Sequence, residues 1–314
     1  MTDEISYASC YCDDLGGDMV SDPARRFWKA VAAAPKQIDL PLPARRAAGE
    51  HAEDATAEPT GVRYEAIADS GSFLAVPSGM PPDRAMLYLF GGGYVLGSPA
   101  SRRKTAGHLA LASPAKVLVA DYRLAPEHPF PAALDDAVSA YLGLLGMGVD
   151  PHRTIIAGDS AGGGLAVAFG VALRDNSHPM PAGIVALSPW ADLTCSGTSM
   201  TGNASRDIEC SRAGLLQMAG WYMNGADPAQ PLASPVFASF SDMPPLLCLV
   251  GSEEVLLDDS LRLARRMAVA GGEATVTVAA GMQHVYPIWA GAFPEAGRAI
   301  RGIGEWVSEQ IDMR

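Results

Sequence analysis

Gly158-Asp159-Ser160-Ala161-Gly162 places one serine between two glycines in the spacing G-x-S-x-G. A serine hydroxyl is a useful nucleophile when it projects from a sharp, strained bend, and residues two positions away must then be small. The run before it, RTIIAG, is apolar and strand-like; the run after it, AGGGLAVAFGVAL, reads as a helix. Ser160 is therefore expected on a strand–turn–helix. The positive end of the helix would face the reacting centre, and the Ala161 amide could donate to a developing oxyanion. In a chain with 33 glycines the bare motif can arise by chance, so its setting carries the assignment.

A second glycine turn, Phe90-Gly91-Gly92-Gly93-Tyr94, ends the apolar run AMLYLF. Three glycines let backbone N–H groups turn towards a ligand, as a tetrahedral intermediate requires. A dinucleotide loop would need G-x-G-x-x-G opening a helix, whereas Tyr94, Val95 and Leu96 follow here.

A serine needs a base, and the base needs an orienting acid. The six histidines are His51, His108, His128, His152, His178 and His284. His284 lies in AAGMQHVYP, just after the strand-like ATVTVA (274–279). His51 and His178 sit in polar segments, and His128 is flanked by prolines in APEHPFP. His108 and His152 precede the serine, the wrong chain order for a nucleophile–acid–base arrangement on such a sheet. The acid should fall between Ser160 and His284. LLCLVGSEEVLLDDS offers Glu254 first, with Glu253 and Asp258 as alternatives; Asp258 and Asp259 also suit N-capping and dipole compensation of a following helix.

These groups need a frame. KVLVADY (116–122), RTIIAG (153–158), GIVALS (183–188) and LLCLVG (246–251) are short, almost wholly apolar runs, as strands of a parallel sheet covered on both faces would be. VRYEAI and SFLAV are further strand candidates, and 131–145, 161–174 and 258–270 are helix-like. The alternation predicts an open, mostly parallel α/β sheet, whose reactive groups gather at the carboxyl ends of its strands. The first sixty residues differ: a short helix over 22–34 with Pro23 in its first turn, then LPLP and a polar, Ala-rich stretch.

The 314 residues are 48% hydrophobic and 18% charged, enough to bury a sizeable core. A net charge of −12 argues against a nucleic-acid partner. No window has the apolar length of a membrane span, and the start MTDEISYASCYCDD is no secretory signal, so a cytoplasmic protein is expected. Five cysteines in a long chain make a poor disulfide framework, and Cys10-Tyr-Cys12 is too little for a metal site.

FGGGYVLGSP, DYRLAPEHPFPAALDDA, AGDSAGGGLA, LSPWADLT, VGSEEVLLDDS and GMQHV occur in this order across roughly residues 60–310. In them the chain resembles the hormone-sensitive-lipase-like esterases, bacterial family IV, of the α/β-hydrolase fold. Its look is that of the monoterpene ε-lactone hydrolases and acetyl hydrolases among them. The resemblance implies a mostly parallel central sheet with helices on both faces and a small helical cap. Residues 1–60 would contribute to the cap, helped by residues near 195–225, and 61–314 would form the catalytic domain. Ser160 would be the nucleophile, Glu254 the acid and His284 the base, with Gly92, Gly93 and Ala161 supplying oxyanion amides. Phe90, Trp190, Trp221 and Tyr222 are candidates for the substrate pocket or for packing. The implied reaction is hydrolysis of small to medium acyl esters or lactones, without metal or cofactor; an amidase or carbamate hydrolase would use the same triad, and a binding protein on this fold would lack catalysis. Relatives often pair as homodimers through late sheet edges or helices. Two departures stand out. Phe90 occupies the place of a histidine that helps to hold the glycine loop, and Glu254 stands where an Asp is usual.

Overall fold

A computed structural model of the chain describes residues 20–34, 38, 40–79 and 84–312. Cys10 and Cys12 lie outside the described residues. Eight strands, β1 (Val62–Ala66), β2 (Phe73–Pro77), β3 (Ala85–Leu89), β4 (Lys116–Val119), β5 (Thr154–Asp159), β6 (Gly183–Leu187), β7 (Leu246–Gly251) and β8 (Ala274–Ala279), form one sheet in the order β1-β2-β4-β3-β5-β6-β7-β8. β2 pairs antiparallel with β1 and β4; every pair from β4 through β3 to β8 is parallel. The apolar runs are thus the central strands, and β3, β5, β6 and β7 are buried throughout. β4 stops short of the run KVLVADY because the Asp121 amide turns to Ser72 Oγ instead of a strand partner.

The helices are α1 (Asp22–Ala33), α2 (Leu42–Gly49), α3 (Arg103–Ala112), α4 (Ala132–Gly146), α5 (Ala161–Asp175), α6 (Ser199–Gly202), α7 (Arg212–Met223), α8 (Leu257–Val269) and α9 (Pro294–Asp312). Neighbouring strand residues point to opposite faces of a sheet. On β6 a Cβ at Gly183 would meet Trp306 of α9, whereas Ile184 packs on Gly170 of α5. α9, packed with α3, therefore covers one face, and α5, packed with α4, covers the other.

Ser21 caps α1, its hydroxyl accepting from the Ala24 amide, and Pro23 sits in the first turn where its missing N–H costs nothing. Phe27 and Trp28 bury their rings against Phe293, and Glu295 of α9 accepts from the Ser21 amide and hydroxyl at 2.7 and 2.9 Å. α2 rests instead on the segment after the glycine turn: Arg46 donates to the carbonyls of Val95 and Ala125, both at 2.9 Å, and pairs with Glu127. No helix among the described residues is long and apolar enough to cross a membrane.

Candidate active site

Ser160 ends β5 and opens α5 with φ 54° and ψ −121°, a strained conformation for a residue with a Cβ. The turn is held by backbone. Its amide donates to Leu187 O at 2.8 Å, and its carbonyl accepts from the Trp190 amide at 2.8 Å. Both motif glycines are needed for close approach. A Cβ on Gly158 would lie 2.2 Å from Gly162 O, and one on Gly162 would lie 2.0 Å from Leu89 O.

His284 follows β8, and its Nε2 lies 2.9 Å from Ser160 Oγ. Its Nδ1 lies 2.8 Å from Glu254 Oε2. A carboxylate only accepts, so Nδ1 carries the proton and Nε2 is left to accept from the serine hydroxyl. Glu254 is fully buried. Its other oxygen accepts from Ser188 Oγ at 2.7 Å and from the Gly251 amide. Ser188 Oγ in turn accepts from the Val285 amide at 3.0 Å, tying the acid loop to the base loop. Burial opposes the charged imidazolium, but the Glu254 carboxylate on Nδ1 favours it and holds His284 above its usual pKa.

The other candidates go elsewhere. Glu253 accepts from Ser252 Oγ and faces Arg206. Asp258 accepts from Thr198 and from the Ser199 amide. Neither Asp258 nor Asp259 caps α8: its N-cap is Leu256, with no side-chain hydrogen bond. Asp259 is buried and accepts from the Ala191 and Asp192 amides at 2.8 and 2.9 Å, and burial pushes its carboxyl up to about 8. The N-capping expectation is corrected here, while both residues do stand in the first turn of α8 as dipole compensation requires; their side chains tie the 191–199 segment to the start of that helix. His51 pairs with Asp54, and His108 reaches Ala57 O.

Gly92 has φ 129° and Gly93 φ 64°, a region that disfavours side chains. A Cβ on Gly92 would meet Leu96 O at 2.2 Å, and one on Gly93 would meet the Met218 sulfur of α7 at 2.2 Å. Ala161 is the first residue of α5, so its amide has no partner inside the helix. The amides of Gly92 and Gly93 likewise donate to no protein acceptor among the described residues.

Several residues that hold the site escape sequence reading. Asp159, the variable position of the motif, is fully buried. It accepts from the Gly91 amide and Tyr88 hydroxyl, each at 2.9 Å, and pairs with Arg102 at 2.8 Å. The glycine turn is thus clamped from below by an ion pair. Phe90 stacks on Tyr122, with centroids 4.2 Å apart, and the Tyr122 hydroxyl donates to Phe90 O. The stacking and this hydrogen bond fix Phe90 at the start of the turn. Cys210 lies beside His284, and Asp207 fixes its loop by accepting from the amides of Glu209, Cys210 and Val255. The motif LSPW contains Ser188, but nothing in the sequence says which hydroxyl meets Glu254. The aromatic candidates divide. Phe90, Trp190 and Tyr222 are packed in the core, with Tyr222 stacked on Tyr94 at 3.8 Å; Trp221 is half-buried beneath Arg45.

A family model described as alpha/beta hydrolase fold matches residues 86–288. The chain belongs to that family. An acetyl-hydrolase of Streptomyces hygroscopicus is 42% identical over 273 residues, 82% of this chain and 91% of that protein. An esterase of Acinetobacter venetianus is 34% identical over 227 residues, 71% of this chain and 74% of that one. Among solved structures, an esterase/lipase from an uncultured bacterium superposes with a TM-score of 0.88 at 39% identity, covering 93% of this chain and 100% of that chain. An esterase from the bacterial hormone-sensitive lipase family gives 0.88 at 38% identity, covering 93% and 99%.

Proposed function

We propose that the protein hydrolyses carboxylic esters through an acyl-enzyme on Ser160, with His284 as base and Glu254 as acid. The supporting observation is the unbroken hydrogen-bond chain Ser160 Oγ–His284–Glu254, at 2.9 and 2.8 Å, beside three unpartnered amides. His284 Nε2 takes the hydroxyl proton as Oγ bonds to the ester carbonyl carbon. The amides of Gly92, Gly93 and Ala161 hold the oxyanion, and the N-terminus of α5 adds its dipole. The proton on Nε2 then passes to the leaving alcohol. A water, deprotonated by the same nitrogen, attacks the acyl carbon, and Ser160 leaves with the proton. Glu254 holds the tautomer and stabilises the transient imidazolium.

The substrates in this reading are small to medium acyl esters or lactones, under a cap formed by the N-terminal segment and residues near 195–225. The contacts of α2 and of Met218 on α7 with the glycine-turn region support that cap. The same reading has a cytoplasmic protein, able to pair as a homodimer; the free thiols of Cys195, Cys210 and Cys248 suit a reducing compartment. A panel of p-nitrophenyl esters, lactones and anilides tests the reaction class. Turnover of esters that vanishes in Ser160→Ala, together with fluorophosphonate labelling, is the expected result. Labelling that survives the substitution overturns the assignment.

A further inference from the structure

α2 buries one residue, and that residue is an arginine. Arg45 is 4% exposed. Its Nε is buried without a partner, and Nη1 has only the amide oxygen of Gln217, at 3.1 Å. The guanidinium carbon lies 5.7 Å from the centre of the Trp221 ring. Among the described residues no carboxylate pairs with it, whereas its neighbour Arg46 is paired with Glu127 and the buried Arg102 with Asp159. Burial pulls the Arg45 pKa below its ordinary value, with no anion acting the other way. A charge removed from water is kept in folds when something supplies the opposite charge.

The position says what would do so. Gln217 and Trp221 flank Met218 on α7, and Met218 is the side chain that abuts Gly93. Arg45 therefore meets α7 at the residue next to Met218, on the helix that closes over the glycine turn. On the other side, Arg46 and Gly49 of α2 bring that helix down onto Val95, Leu96 and Gly97.

We infer that Arg45, with Gln217 and Trp221, forms an anion subsite under the cap and that the enzyme prefers esters carrying a carboxylate a few bonds from the reacting carbonyl. This rests on the ester-hydrolase reading above and names its substrate class. A guanidinium donates to both oxygens of a carboxylate at once, and the free Nε completes that fork. Stacking on Trp221 holds the plane of the fork in place.

The test compares monomethyl esters of the diacids from glutarate to suberate with methyl esters of the corresponding monoacids, followed by pH-stat titration. The ratio of kcat/KM, charged over neutral, is expected to exceed about tenfold in the best-matched pair, the scale of one charged hydrogen-bonded contact. Arg45→Met should cut that ratio about tenfold or more, chiefly through KM, and Arg45→Lys should restore part of it. Arg45→Gln serves in place of Arg45→Met if the latter does not fold. A ratio near one throughout the series, or one that Arg45→Met leaves unchanged, overturns the subsite. If no neutral ester is turned over, the ester reading itself has failed. The subsite is then read without turnover, by calorimetric titration of Ser160→Ala protein with monomethyl adipate and methyl hexanoate. Tighter binding of the charged ligand, lost on adding Arg45→Met, supports it; equal binding overturns it.

Discussion

The two halves of the site are held by different chemistry. On the oxyanion side, the glycine turn stands on a buried ion pair: Asp159, with Arg102, Tyr88 and the Gly91 amide all directed at its carboxylate. On the acid–base side, His284 meets Glu254 directly, and the groups that hold the pair in place are uncharged, chiefly the Ser188 hydroxyl and backbone amides. In the proposed mechanism the oxyanion donors must not move as charge develops, and a fixed pair with many bonds gives that rigidity. The acid–base side would pass a proton back and forth, and its supports orient the imidazole without adding a competing cation. Damage to the first half should therefore appear mainly as lost stability, and damage to the second mainly as lost rate.

Ser160→Ala removes the group both halves serve. It should lower kcat on the order of 10⁶-fold in a p-nitrophenyl butyrate assay, with the melting temperature nearly unchanged. Glu254→Gln keeps the shape but favours the wrong tautomer, and should cost on the order of 10⁴-fold in kcat. It also carries a pH signature. Glu254 raises the His284 pKa against burial, and the base works only when neutral, so kcat/KM should climb as pH rises through that elevated value. Without the carboxylate the midpoint of the climb should move to lower pH; a midpoint that moves up would contradict the coupling.

Asp159→Asn leaves Arg102 buried without a counter-charge and should destabilise the fold by about 3–5 kcal/mol in urea denaturation. Adding Arg102→Met should recover much of that loss. The contrast between the halves breaks if Asp159→Asn keeps its stability and loses only rate. The smallest effect is expected from Ser188→Ala, which removes one hydrogen bond to a charged group: about tenfold in kcat, read by the same assay. A larger fall would mean that the hydroxyl also carries the Val285 turn, where a β-branched residue sits at φ 48°.

Much of the candidate site was legible before the fold. Ser160, His284 and Glu254 stand out because each follows an apolar run, and in a parallel sheet the ends of such runs converge at one edge. The strands were legible for the same reason: Leu246–Gly251 and Ala274–Ala279 match their runs residue for residue. What failed was local. Asp258 and Asp259 do open α8, but neither caps it: their side-chain hydrogen bonds go to a segment some sixty residues earlier. Asp159 stands at the variable position of the motif; its partners Tyr88 and Arg102 come from elsewhere in the chain, and no periodicity announces them.

The sequence by itself determined which side chains could react and on which strand ends they stand, because strand periodicity, glycine spacing and chain order are properties of neighbours. Tertiary structure alone decided which groups hold them. Pairing Asp159 with Arg102, Glu254 with Ser188 and Arg45 with Trp221 depends on segments distant in sequence meeting in a low-dielectric interior. There an unpaired polar group is costly, so a partner has strong energetic weight and no local signature.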